Sequence, residues 1–289
     1  VYKKPNELLQ ICILKSQGDG VVTIYTKKMT QIIWKELKPY IEKASIYFLL
    51  NEIDEDTLQG IKLNRVNKHT KSLVKDCNIK NYSFMHIDID PIRDISGECC
   101  ATKEERQYSR RKAFTIAMFL KKEFNFANPI IGDSGNGTVL DYYVSLENNA
   151  ENKKLISESL KALASIFTDD FADVDVKVGN PARLIKILGC KSVKGKDTEE
   201  RPHRYSSLLF APKRKKDVTK EQLQRLVSEI TLTKEEKNNM IDAEEFMKKH
   251  NIYYKYKKED EIGTIYPLTQ CPFCDEHKDG AYLTVLKNG

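Results

Sequence analysis

Two carboxylates one residue apart open the chemistry of this chain. His86-Ile87-Asp88-Ile89-Asp90 follows Tyr82-Ser83-Phe84-Met85 and stops at Pro91. Alternation with period 2 predicts a strand with Phe84, His86, Asp88 and Asp90 on one face and Met85, Ile87 and Ile89 on the other. Residues i and i+2 of a strand lie roughly 6–7 Å apart at Cα, close enough for both carboxylates to hold one divalent cation. Two ionised acids at that spacing repel unless a cation or a shared proton relieves them. An isolated Asp-x-Asp is more often a solvated strand edge, so the weight rests on the segments that follow.

Asp173-Val174-Asp175-Val176-Lys177-Val178 alternates too and predicts a strand with Asp173, Asp175 and Lys177 on one face. A third carboxylate from such a neighbour would complete an oxygen-ligand site for Mg²⁺ or Mn²⁺. Alone, either acid reads as a surface residue. Ser134-Gly135-Asn136-Gly137 lies between two strand-like runs. On local sequence it reads first as a hairpin tip with Asn-Gly in the turn, and second as a nest of backbone N–H groups for a phosphate; the two are compatible. Asn180-Pro181 reads as the N-cap and first residue of a helix. Arg183, Lys186, Lys191, Lys194, Arg201, His203 and Arg204 follow closely. That cluster suits a triphosphate or a solvated basic loop. Cys271 and Cys274 have metal-ligand spacing, with His277 as a third candidate for zinc, which takes four ligands. Two reduced thiols in a turn is the equal alternative.

The elements expected to position these groups form an α+β pattern. Ser45 to Leu50 is strand-like, a helix is expected from about Asp56 to Asn64, and the Asp88/Asp90 strand follows. Thr102-Lys103-Glu104-Glu105 is a capping box opening a helix with Ala113, Ile116, Ala117, Leu120 and Phe124 on one face. Pro129 to Ile131 and residues 138–146 read as strands, and residues 152–167 as a helix. The order strand–helix–strand–strand–helix–strand around 83–188 predicts an RNA-recognition-like α+β core. A basic loop covers 189–205. The chain turns helical from Thr219 and strand-like from Ile262.

The 289 residues suit one large domain or two modest ones. With 40% hydrophobic and 31% charged residues the composition is that of a globular protein, and no run of about 18 apolar residues predicts a membrane span. Forty-eight Lys and Arg against 42 Asp and Glu give +6, a mild excess compatible with nucleic acid. Seven scattered cysteines predict a reducing, cytoplasmic setting rather than a disulfide framework.

Taken in order, Ile87-Asp88-Ile89-Asp90-Pro91-Ile92-Arg93, Ala101 to Glu105, Asp133-Ser134-Gly135-Asn136-Gly137, Asp175 with Asn180-Pro181-Ala182-Arg183, Lys194-Gly195 and Arg201-Pro202-His203-Arg204 form a series, with Tyr47 to Asn51 and Asn64 upstream. The series resembles the archaeo-eukaryotic primase superfamily, in its primase-polymerase branch of phages, plasmids and CRISPR-associated proteins. The resemblance covers roughly residues 44–205. It implies an archaeo-eukaryotic primase fold: an N-terminal α/β unit, about 1–80, packed on an RNA-recognition-like catalytic unit, about 81–215. A helical region, 216–262, and the start of a zinc-ribbon-like segment, 263–289, would follow. The ribbon is expected to be truncated, because the chain ends where a second ligand pair is due.

The resemblance also implies roles. Asp88, Asp90 and Asp175 would be the catalytic acids and ligands of Mg²⁺ or Mn²⁺. Ser134, Gly135, Asn136, Gly137, Arg183, Lys194, His203 and Arg204 would bind the incoming dNTP or NTP. Partners would be a single-stranded DNA template or primer-template, with CRISPR or replication proteins beyond them. The expected activity is template-dependent DNA priming and extension. One departure stands out: where the family's second motif continues to a histidine that contacts the triphosphate, this chain has Val139. A valine donates no hydrogen bond, so another group on that face, such as Tyr143, would have to substitute, or the phosphate contact is weaker. Tyr47, Tyr142 and Tyr143 are candidates for a gate against the ribose hydroxyl. A metal-dependent nuclease and a non-catalytic replication-initiator or nucleic-acid-binding module are the rival expectations.

Overall fold

The computed structural model describes residues 2–14, 21–70, 73–93, 99–232, 243–260, 262–272 and 281–286. The architecture is mixed α+β, with antiparallel sheets and five described α-helices. In chain order the elements are β1 (Leu9–Leu14), β2 (Val21–Thr26), α1 (Gln31–Ile41), β3 (Ser45–Leu49), β4 (Glu52–Ile53), β5 (Val66–Thr70), β6 (Ile79–Pro91), α2 (Lys103–Phe124), β7 (Ile130–Asp133), β8 (Thr138–Glu147) and α3 (Ala150–Phe167). Then come β9 (Ala172–Val174), β10 (Leu184–Lys186), β11 (Lys191–Ser192), β12 (Arg204–Tyr205), β13 (Ser207–Phe210), α4 (Lys220–Leu232), α5 (Ala243–Lys249), β14 (Lys258–Glu259), β15 (Gly263–Pro267) and β16 (Tyr282–Leu286).

Two sheets matter for the acids. The first runs β10-β3-β1-β2-β5. The second runs β13-β7-β8-β6-β4, with β9 also paired to β6. Within the second, β6-α2-β7-β8-α3-β9 follows the βαββαβ order read from the sequence, with neighbours β7-β8-β6-β9 in space. Its inner face drives the packing. Met85, Ile87, Ile89, Leu140, Tyr142 and Val144 are buried against α2, α3 and α4. The pairing of β6 with β8 slips between Tyr82 and Phe84. Tyr82 therefore joins the helical core while Phe84 turns to the other face, as one extra residue in a ladder requires. On that other face Phe84, Ile130 and Tyr143 meet Phe48, Leu50 and Ile185 of the first sheet. The acid face of β6 is thus the face that looks toward the first sheet.

Sequence expectations fail at three places. Residues 56–64 form no helix: a 3-10 turn at Glu55–Thr57, capped by the Asp54 carboxylate, ends at once. Gly60 and Asn64 sit at φ +72 and 58, left-handed conformations that break a helix. The strand expected over 173–178 ends at Val174. Asp175 instead caps a 3-10 helix, Val176–Gly179, and accepts the Lys177 N–H at 2.7 Å. A short carboxylate that satisfies its own backbone competes with the ladder. Lys177 consequently leaves the face of Asp173. Finally, Asn180-Pro181 opens no helix; Asn180 is extended and the chain turns into β10.

By contrast α2 starts as read. Thr102 accepts the Glu105 N–H and Glu105 accepts the Thr102 N–H, and Asn125 closes the helix at φ 54. The six described cysteines are free thiols. Among the described residues no helix is long and apolar enough to cross a membrane.

Candidate active site

Asp88 and Asp90 project from β6, and β9 brings the third acid. Ile89 pairs with Val174 and Asp90 with Asp173, so Asp175, the residue just past the end of β9, falls beside Asp88. The Asp175 N–H donates to the Asp88 carbonyl at 2.9 Å. Burial first, then the charge of Asp90, then that of Asp175, push the Asp88 carboxyl up to about 7, against the opposing pull of His86 and Arg183. Three carboxylates from two strands therefore lie in one electrostatic neighbourhood. They do not form a closed ligand cage: among the described residues no three His, Cys, Asp or Glu side chains already stand at metal-binding spacing.

Behind Asp88 on the same face, His86 pairs with Asp141 across β6 and β8. Its Nδ1 lies 2.5 Å from Asp141 Oδ1, and the Tyr2 hydroxyl donates to Asp141 Oδ2 at 2.8 Å. Burial works against a charged ring, but Asp141 and the field of Asp88 outweigh it and raise the proton affinity of His86.

The Ser134–Gly137 segment is a hairpin tip, since Asp133 pairs with Thr138. Its donors are engaged internally. Asp133 Oδ1 accepts the Gly135 N–H at 2.7 Å, and Ser134 Oγ accepts the N–H groups of Asn136 and Gly137 at 3.4 and 2.9 Å. The fully buried Asp133 is itself clamped by Arg106 and Arg110 of α2. Asn136 is an internal joint: its Oδ1 accepts the Ala101 N–H and its Nδ2 donates to Ser192 Oγ, both at 3.0 Å. Gly137 is where the hairpin touches the acids. A Cβ there would lie 2.5 Å from the Ile89 carbonyl and 2.8 Å from Asp90 Oδ1. Gly135, at φ +92, is also tight: a Cβ there would lie 2.9 Å from Ser192 Cβ and 3.0 Å from the Arg204 carbonyl.

The basic residues divide. Arg183 lies in the field of Asp175 and Asp88; burial pulls its proton affinity down, and its guanidinium donates to the carbonyls of Val178 and Lys177 at 3.2 and 2.6 Å. Lys186 pairs with Tyr47 across β10 and β3, its Nζ 5.9 Å from the Tyr47 ring. Burial and then the charge of Lys194 push the Lys186 amine down to about 8. The Tyr47 hydroxyl is raised by burial and by the fields of Asp88 and Asp90. Lys194 is thus gathered with Lys186. His203 and Arg204 instead bond to loops: the His203 N–H donates to Asp197 at 2.8 Å and its Nε2 to the Gly195 carbonyl at 3.1 Å. Arg204 donates to the Ala101 carbonyl. Arg201 makes a paired contact with Glu105 at 2.8 and 2.9 Å, which ties its loop to the start of α2.

Val139 pairs with Asp88, so its side chain shares the acid's face. Tyr143 does not stand in for the missing histidine. It pairs with Phe84, four residues along the strand from Asp88, about 13 Å away. Tyr142 faces the helical core, fully buried, which removes it as a sugar gate. Of the three tyrosines, Tyr47 is the one whose hydroxyl senses the acids. Its neighbour Lys186 lay in the basic cluster of the sequence, but only the pairing of β3 with β10 singles it out. Cys271 is half-buried; Cys274 and His277 lie outside the described residues. Two surface grooves, of about 260 and about 680 Å³, lie away from the acids.

No protein-family model matches the chain, and no curated protein matches it.

Proposed function

We propose that this protein is a template-dependent nucleotidyltransferase of the archaeo-eukaryotic primase type, a DNA primase-polymerase. The carrying observation is the bond from the Asp175 N–H to the Asp88 carbonyl, which sets a third acid beside the Asp88/Asp90 pair. The βαββαβ order, with the first sheet over the acid-bearing face, supports the same reading of the fold.

The donor set suits a hard divalent cation: all oxygen, and short of positive charge, since burial first and then the charge of Asp90 push the Asp88 carboxyl up to about 7. Asp88, Asp90 and Asp175 would hold Mg²⁺ or Mn²⁺, which supplies charge stabilisation to the attacking hydroxyl and the leaving pyrophosphate. The chain supplies the rest. Arg183, in the field of Asp175 and Asp88, and Lys186 with Lys194 would supply the positive charge that a triphosphate needs. Gly137 lets the hairpin backbone come close to Asp90, where a Cβ would lie 2.8 Å from Asp90 Oδ1. Tyr47, on the first sheet, has its hydroxyl in the field of Asp88 and Asp90 and is the candidate for reading the sugar.

Single-nucleotide incorporation on a labelled primer-template in Mn²⁺ tests the reading. Asp88→Asn and Asp90→Asn are expected to lower incorporation by about a thousandfold or more, the scale of losing a few kcal/mol of transition-state stabilisation. Incorporation at the wild-type rate in both variants would sink the assignment. Shortening of the labelled strand without any dNTP would instead identify a metal-dependent nuclease. One further reading has observations in its favour: a nucleic-acid-binding module without catalysis. Val139 offers no donor beside Asp88, and the hairpin N–H groups are already engaged. Nucleotide binding with no incorporation in either metal would support it.

A further inference from the structure

Five tyrosines stand among the exposed large side chains of the described residues, and four belong to the C-terminal sheet and the segment leading into it. Tyr253 is 68% exposed, Tyr256 58%, Tyr282 40% and Tyr254 37%. Single exposed aromatics need no explanation, but a group of them does. Here they alternate with cations. Tyr253-Tyr254-Lys255-Tyr256-Lys257-Lys258 contains three tyrosines, three lysines and no acid.

The segment is held, not loose. The Lys255 N–H donates to the Pro267 carbonyl at 2.7 Å, the Thr269 N–H to the Tyr253 carbonyl at 2.9 Å, and Tyr254 bridges to Leu268. Part of it packs inward: Tyr254 stacks edge-on against Tyr266 at 4.9 Å, and Lys257 pairs with Glu244. Tyr253, Tyr256 and Lys258 are left facing solvent. The run also continues across the sheet. Pro267 pairs with Tyr282, and Lys258 pairs with Ile265. Tyr282 and Ile265 line the groove of about 260 Å³ together with Gln107, Arg110 and Arg111 of α2. Within that wall Arg110 Nε is buried without a hydrogen-bond partner.

We infer that this surface binds a single-stranded nucleic acid, through base stacking on Tyr253, Tyr256 and Tyr282 and phosphate contacts from Lys258 and the arginine-lined groove. Flat rings interleaved with cations match a strand that alternates bases with phosphates, and the base faces are free only when the strand is unpaired. A greasy protein partner or a bilayer fits less well, because among the described residues every exposed large apolar side chain of this sheet and segment is a tyrosine. The inference does not need the catalytic proposal, since Tyr253, Tyr256, Lys258 and Tyr282 belong to the C-terminal sheet and the segment before it and not to the acid site.

Fluorescence anisotropy of a labelled oligothymidylate of about 20 nucleotides, with the full chain, tests it. Tyr253→Ala and Tyr256→Ala, both at exposed positions, should each weaken binding about fivefold or more, while Tyr253→Trp retains affinity. Lys258→Gln should flatten the dependence of log affinity on log salt by about 0.7, the value for one phosphate contact to a single strand. An unchanged affinity in the double alanine variant would overturn the inference. So would an equal loss on a blunt duplex of the same length, because stacking would then not be the cause. Incorporation assayed in parallel separates the two proposals: binding that needs Tyr253 and Tyr256 stands even where no nucleotide is incorporated, and incorporation without that binding overturns this inference alone.

Discussion

Gly137 is the narrowest point of the candidate site, and the reason is distance rather than backbone freedom. Any side chain there must displace either the β6 backbone at Ile89 or the Asp90 carboxylate. Gly137→Ala should therefore cost about 1–3 kcal/mol of stability, the usual range for forcing atoms into a filled space. It should lower incorporation further than that loss explains, because Asp90 moves; thermal melts beside single-turnover assays measure the two effects separately. At this scale the sequence was informative where chemistry and spacing coincide. Asp88 and Asp90 are legible because two acids at i and i+2 are unusual on a strand with an apolar reverse face. Asp175 is legible by type, but its place beside Asp88 follows from the β6–β9 register. Asn136 reads as a turn residue, and nothing local reveals that its amide joins Ala101 to Ser192. Tyr47 and Lys186 meet only through a strand pairing between distant segments, which no local spacing announces.

Two polar joints hold the elements around the acids, and each carries a prediction. Asn51, almost wholly buried, donates to the Pro181 carbonyl at 2.8 Å and accepts the N–H groups of Ser83 and Phe84 at 2.9 and 3.2 Å. It binds the end of the first sheet to β6 and to the turn before β10. Asn51→Ala should cost about 3 kcal/mol, since it strands buried backbone groups, and urea unfolding would read the loss. Asp133 is the second joint. Burial alone would raise its carboxyl, but the hydrogen bonds from Arg106, Arg110 and the Gly135 N–H outweigh burial and hold it below the usual range. A carboxyl lowered by folding contributes stability above its unfolded value, about 3.9, and loses it as pH falls through the folded value. Asp133→Asn should therefore destabilise the protein at neutral pH, with the gap to wild type closing below about pH 4. A gap that stayed constant on acidification would show that the carboxylate charge is not the cause. Element boundaries were the least legible layer. The capping box fixed the start of α2, while Asp175 ended its strand early by capping its own 3-10 turn, a choice that strand periodicity does not register.

At the scale of the whole molecule the two sheets are not two consecutive stretches of chain. β4, from the N-terminal part, extends the second sheet beside β6, and β10, which follows Asp175, forms the edge of the first beside β3. The sequence shows the order of elements but not this exchange, because an edge strand of two or three residues carries almost no periodic signal. The exchange makes the sheets one cooperative body and lets residues before 50 reach the acids. α4 belongs to the same body: Leu223, Leu226 and Ile230 are buried in the core that α2, α3 and β6 share. The C-terminal sheet is joined differently. Its own cluster of Met247, Ile252, Tyr266, Leu268 and Leu283 reaches α2 through Met118, with Arg111–Asp260 and His250–Glu123 as polar ties. A chain cut after Leu232 should then keep a single thermal transition, lowered by several degrees for the exposed Met118 and the lost ties. A chain cut after Phe210 loses the three buried side chains of α4, at about 2–5 kcal/mol for each large apolar group removed, and should not unfold cooperatively. Circular dichroism melts of the two fragments decide the matter, and equal melting of both would show that α4 is not part of the body that carries the three acids.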